Sequence, residues 1–178
     1  MRAAGLGALA RMAALQPGDL VLALADAAAP VRRRACELAG RNQAPSLVSP
    51  LVTALSDPVP AVAEAACYAL GELVGAGPSR QVVAALAATA SGHPDALCRE
   101  AAVAALGALG SPDGLPAVMT ALADRPAVRR RAVVALAAFE GDIVEAALVK
   151  AARDTDWQVR QAAEDLLGAR PRPGSAHQ

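Results

Sequence analysis

The sequence predicts an all-α protein, an α-solenoid (α-α superhelix) of stacked helical hairpins. Three observations carry that prediction. Of 178 residues, 54% are hydrophobic but only 2% aromatic, so the apolar mass is alanine, leucine and valine. Alanine is the strongest helix former, and small side chains let helices approach closely. A pattern of an aliphatic anchor, often Arg next, Ala at plus four and Leu near plus eight recurs from Met1, Val31, Val62, Cys98, Val128 and Val159. These anchors are spaced by 30, 31, 36, 30 and 31 residues, the period of a repeat architecture.

The elements follow in order. MRAAGLGALA opens the chain as a second helix without a first, a half repeat over 1–14. LVLALAD, ending at Asp26, then pairs with VRRRACELAG from Val31 to give a hairpin over about 18–41. LVTALSD, ending at Asp57, pairs with VAEAACYALG from Val62 over about 46–73. VVAALAATA pairs with CREAAVAALG from Cys98 over about 80–109, and the 36-residue spacing places the extra residues in the loop GAGPSRQ between Gly75 and Gln81. LPAVMTALAD, ending at Asp124, pairs with VRRRAVVALA from Val128 over about 113–139. IVEAALVKAARD, ending at Asp154, pairs with VRQAAEDLLG from Val159 over about 142–168. The pattern is lost in ARPRPGSAHQ, 169–178, which reads as a mobile, disordered tail.

Anchor, plus four, plus seven and plus eight fall on one side of a helix and are apolar in nearly every copy, which defines a buried stripe. Between the two helices of each unit come DPVP, GHPD, DRP or DTD, where Asp can cap and Pro suits the first turn. One hairpin cannot bury both apolar faces, so neighbours must stack, and Ala35, Ala66, Ala102, Ala132 and Ala163 at plus four keep the stacked helices close. Glycines at plus nine, Gly40, Gly71, Gly107 and Gly168, read as helix ends. Position plus one holds Arg2, Arg32, Arg99, Arg129 and Arg160, with Ala63 the exception, while Asp26, Asp57, Asp124 and Asp154 stand four or five residues before an anchor. A fixed acid beside a fixed arginine predicts a ladder of ion pairs from repeat to repeat.

The segment LPAVMTALADRPAVRRRAVVALA carries the pattern LPxxxxALxDxxxxVRxxAxxALG almost whole. It resembles a HEAT repeat of the short bacterial subtype, also called the phycobilisome-lyase-like HEAT repeat. Five hairpins and the leading half extend the resemblance from residue 1 to about 168. In such arrays the second helices line the concave side. That implies a partner-binding face carrying Arg33, Arg34, Glu37, Arg41, Glu64, Tyr68, Glu100, Arg130 and Arg131. Charge along it is basic first, acidic in the middle and mixed later, which suits a protein or peptide partner better than a continuous phosphate backbone.

Seventeen basic residues balance seventeen acidic ones, for zero net charge and a pI near 6.7, without the basic excess of a general nucleic-acid binder. Trp157 lacks the aromatic companions a DNA-glycosylase-related groove needs to hold a flipped base. His93 and His177 have no companions at metal-ligand spacing. Cys36, Cys67 and Cys98 are an odd number without a CxxC pair, which argues against a disulfide framework or zinc site and makes the cytoplasm the default. No phosphate-binding, dinucleotide-binding or nucleophile-elbow motif is present. The expected function is a non-catalytic adaptor or scaffold without cofactor or metal, its partner on the concave groove or at an exposed end. The resemblance implies one enzymatic alternative, attachment or isomerisation of a bilin chromophore. With Met1 at an anchor, the first repeat has no first helix, so its apolar face is expected to be covered by another chain, by self-association or by residues further upstream.

Overall fold

The computed structural model describes residues 2–73 and 79–169, and among these there is helix and turn but no strand. Six long second helices form one layer: α1 (Arg2–Arg11), α3 (Ala29–Asn42), α5 (Pro60–Glu72), α7 (Ala96–Leu109), α9 (Pro126–Ala135) and α11 (Trp157–Ala169). Five first helices form the other: α2 (Pro17–Leu24), α4 (Val48–Ala54), α6 (Arg80–Gly92), α8 (Leu115–Ala121) and α10 (Asp142–Ala151). Within the long-helix layer α1 packs on α3, α3 on α5, α5 on α7, α7 on α9 and α9 on α11, and each first helix packs on its own second helix. Contacts therefore run between neighbours in sequence, and the chain is an α-solenoid.

Local sequence explains the hairpins. Pro17, Pro30, Pro60 and Pro126 occupy first-turn positions, where a missing amide proton costs no helical bond. Asp95 and Ser79 accept amide protons at the starts of α7 and α6. Gly110 and Gln43 end α7 and α3 in the left-handed region, at φ 59° each. At the latter end the Gln43 side-chain amide donates to the carbonyls of Gly40 and Glu72, joining the ends of α3 and α5.

The core is a run of small and medium aliphatics. Ala35, Ala66, Ala102, Ala132 and Ala163 are fully buried, as the plus-four reading requires. Leu70, Leu106 and Leu136 at plus eight meet Leu51, Leu86 and Val118 from the other layer in one continuous cluster. Each such side chain contributes roughly 1.5–3 kcal/mol by leaving water.

The plus-nine glycines stand in the last turns of their helices, as the sequence implies, but not as left-handed caps: Gly40, Gly71 and Gly107 lie where the next helix approaches closely. A side chain on Gly71 would begin 3.0 Å from the Cα of Ala105, and one on Gly107 would begin 2.7 Å from the Cβ of Ala135. Plus nine of one helix thus meets plus seven of the next, a pairing set by the offset between stacked helices. Gly168 has nothing within 4 Å of that point.

Two other expectations meet the boundaries of the described residues. In the loop expected between Gly75 and Gln81, Arg80 and Gln81 already belong to α6, and residues 74–78 lie outside the described segments. Of the expected tail, Ala169 closes α11, and 170–178 likewise lie outside. Among the described residues, no helix is long and apolar enough to cross a membrane.

Candidate functional site

The arginine triplets divide by position. Their first members, Arg32 and Arg129, form a ladder with Arg99. Arg32 donates from Nε and Nη2 to the two carboxylate oxygens of Asp57 at 2.6 and 2.9 Å. Arg99 does the same to Asp124 at 2.6 and 2.8 Å, and Arg129 to Asp154 at 2.9 and 2.7 Å. Each pair joins one repeat to the next. The third nitrogen, Nη1, donates to carbonyls of the arginine's own hairpin turn: Asp26 and Ala27 for Arg32, His93 and Pro94 for Arg99, Asp124 for Arg129. These aspartates also accept a turn amide, as Asp57 does from Val59 and Asp154 from Asp156. Hydrogen bonding from arginine holds Asp57, Asp124 and Asp154 below the usual carboxylate pKa, with desolvation opposing it.

One rung is missing, and both its partners are replaced together. Ala63 stands at the arginine position and His93 at the aspartate position. Nδ1 of His93 still accepts the amide of Asp95, so the turn survives without the ion pair. At the same interface the Cys98 thiol lies 3.2 Å from the Pro60 carbonyl, and the Cys67 thiol 3.9 Å from that of Cys98. Cys36, Cys67 and Cys98 are free and buried. Burial pushes the first two thiols up to about 12 and the third to about 11, which keeps them protonated and poorly nucleophilic.

The remaining candidates lie on the outer surface of the long-helix layer. A cleft of about 270 Å3 between α3 and α5 gathers Arg33, Glu37, Arg41, Glu64, Tyr68 and Glu72 over a floor of Ala61, Ala65 and Ala69. Tyr68 is half-exposed there. Partial burial and the carboxylates of Glu64 and Glu100 raise its phenol pKa, while Arg131 acts in the opposite sense. Glu100 accepts from Nε and Nη2 of Arg131 at 3.3 and 3.2 Å, bridging α7 and α9. A second cleft, about 400 Å3 between α9 and α11, brings together Arg130, Arg131, Val134, Trp157 and Gln161. Arg34 lines neither cleft: it bonds Glu37 in its own helix and faces α1.

Sequence reasoning missed one member of this surface. Trp157 was expected in a hairpin loop, but it is the first residue of α11 and exposes its ring beside Arg130. Val134, at the same repeat position as Tyr68, is exposed on the same face. A third cleft, about 820 Å3, opens on the other layer between α8 and α10, walled by Met119, Leu122, Ile143 and Ala147 above the Arg129–Asp154 rung. It depends on how far apart two short helices stand, which no motif records. Among the described residues no group of three His, Cys, Asp or Glu side chains is placed to hold a metal ion.

The model of HEAT repeats matches residues 19–91 and 72–137, more than half of the chain. The chain belongs to the HEAT-repeat family. The HEAT array also resembles solved solenoids. A designed armadillo repeat protein in complex with the peptide (KR)4 superposes with a TM-score of 0.65 at 20% identity, covering 92% of this chain and 84% of that one. A crystallised engineered protein gives 0.62 at 19% identity, covering 93% and 83%. A condensin subcomplex from S. pombe gives 0.67 at 19% identity over 84% of this chain, which spans only 22% of that chain's length. No curated protein matches by sequence.

Proposed function

We propose that this HEAT-repeat protein is a non-catalytic interaction scaffold that binds a protein or peptide segment along the outer face of its long helices. One observation carries the reading. The first arginine of each triplet and its aspartate are consumed by stacking, whereas Arg33, Arg41, Glu64, Tyr68, Arg130 and Trp157 line clefts on a single face. Side chains of both charges with exposed aromatic rings suit side-chain recognition, whereas a phosphate backbone requires one continuous sign. Arg34, Glu37, Glu100 and Arg131 belong to the same surface, tied to one another by ion pairs that fix their geometry. A peptide held by a solenoid of the same fold, the designed armadillo protein, supports this kind of partner.

Photo-crosslinking tests the face. A benzophenone amino acid at Tyr68 or Val134 should crosslink one common partner in the native cell, while the same group at exposed Val149 or Leu22, on the short-helix layer, should not. Equal crosslinking from both layers, or from the short-helix layer alone, would reject the proposal.

A further inference from the structure

The two triplets end differently. Arg131, third in the second triplet, reaches back to Glu100 at plus two of the preceding long helix. Arg34 is third in the first, and the equivalent plus-two position of α1 holds Ala3. No carboxylate waits there. Nη2 and Nε of Arg34 lie instead 3.4 and 3.7 Å from the point where a side chain on Gly7 would begin, and Nη1 of Arg11 lies 3.5 Å from the same point. Two guanidinium groups therefore converge on a bare stretch of backbone. Glu37 is already divided between Arg33 and Arg34, and Arg11 has no carboxylate within ion-pair distance among the described residues. The carbonyl end of α1 answers only part of its charge.

We infer that Arg11 and Arg34, over Gly7, form a seat for an aspartate or glutamate side chain of the bound partner segment, which supplies the carboxylate that Glu100 supplies to Arg131. The inference rests on the scaffold reading above. Arg34 presents Nε and Nη2 as a planar fork, the arrangement that grips both oxygens of a carboxylate, and its remaining nitrogen, Nη1, is fixed by Glu37 at 2.9 Å. Gly7, with no Cβ, lets both guanidinium groups rest against the α1 backbone, and because Arg11 is exposed and the Arg34 side chain is 39% exposed, a carboxylate approaches them from solvent. Nearby Arg33 and Arg41 are exposed and extend the positive surface along α3, so complementarity favours an acidic segment over a neutral one.

The full chain is incubated with an array of varied 12-residue peptides, and the best binder is compared with its Glu→Gln and Asp→Asn copy by fluorescence anisotropy at low salt. Binders should be enriched in acidic residues, and the neutral copy should lose affinity. Arg34→Gln or Arg11→Gln should each weaken the acidic peptide about tenfold, the effect of losing one charge-assisted contact. Ala3→Glu, which places a carboxylate where Glu100 stands in the later interface, should weaken it to a similar degree with no arginine removed. Arg153→Gln on the opposite layer is the control and should change nothing, and equal thermal melts show that the variants are folded. Binders without acidic enrichment, or affinities unmoved by all three variants, would overturn the seat and leave the scaffold reading standing. No peptide binding at all would remove both. Single-stranded DNA bound with the same arginine dependence, in place of acidic peptides, would also overturn it and assign the seat to phosphate.

Discussion

Arg32 and Asp57 are separated by 25 residues in sequence and share a two-pronged ion pair with both oxygens engaged, at 2.6 and 2.9 Å. Arg99 with Asp124 and Arg129 with Asp154 repeat it at the same separation, while Ala63 and His93 leave one rung open. Loss of both partners at one interface argues that each is retained for the other. Either alone would leave a partly shielded charge without its counterpart.

A double-mutant cycle on Arg99→Met and Asp124→Asn measures that coupling. Asn keeps the turn bond from the Arg125 amide and removes the charge. With side chains only 15% and 17% exposed, the pair should show about 1–2 kcal/mol of coupling in urea melts, above the range for exposed pairs. Additive single effects would mean that the ladder is geometric decoration.

Acid should weaken the array in a defined direction. Asp57, Asp124 and Asp154 have folded pKa values below their unfolded ones, so folding binds their charged form and the unfolded chain binds more protons. Their contribution is fully present above the ordinary aspartate pKa near ~3.9 and is lost as pH falls from there through the lowered folded values. Thermal melts in steps below pH 5 should show this loss, and Asp124→Asn should reduce its slope. An unchanged slope would place the acid sensitivity elsewhere.

Glycine contacts make an unequal pair of substitutions. Gly107→Ala pushes a methyl group against Ala135, where backbone must move, and the overpacking should cost about 1–3 kcal/mol, more than the gain in helix propensity returns. Gly168→Ala meets nothing within 4 Å and should hold or slightly raise the melting temperature. Equal effects at the two sites would contradict the plus-nine to plus-seven contact.

Thiol accessibility offers a fourth check. Cys36, Cys67 and Cys98 are fully buried, with pKa values pushed up to about 12, 12 and 11, so a disulfide reagent at neutral pH should leave the folded protein unmodified. Adding denaturant should release all three. Rapid labelling of any one without denaturant would show that its interface opens on its own.

Much of the candidate surface was legible because repeat position fixes helix face. Arg33, Glu37, Arg41, Glu64 and Tyr68 were grouped by repeat position together with the face that the HEAT resemblance implies, and the structure places them around one cleft. Less legible were features that depend on the offset between neighbouring helices. That offset brings Gly71 against Ala105, which stands two positions earlier in its own repeat, and it leaves Arg34 over Gly7 but sets Arg131 on Glu100. Trp157 was missed for another reason: α11 begins two residues before Val159, where the repeat pattern starts, because the Asp156 carboxylate accepts the amides of Gln158 and Val159.

By itself the sequence determined the helical class, the six-fold recurrence, the buried stripe and the arginine and aspartate columns. These are written in local chemistry: 3.6-residue periodicity, a buried alanine at plus four, and proline in the first turn of α2, α3, α5 and α9. Tertiary structure alone decided which charge answers which. Identical triplets acquire different partners because a side chain several bonds long reaches the next helix, and what it finds there depends on how the two helices are shifted along each other. The same shift leaves Arg11 and Arg34 facing backbone at Gly7, while Arg131 meets a carboxylate.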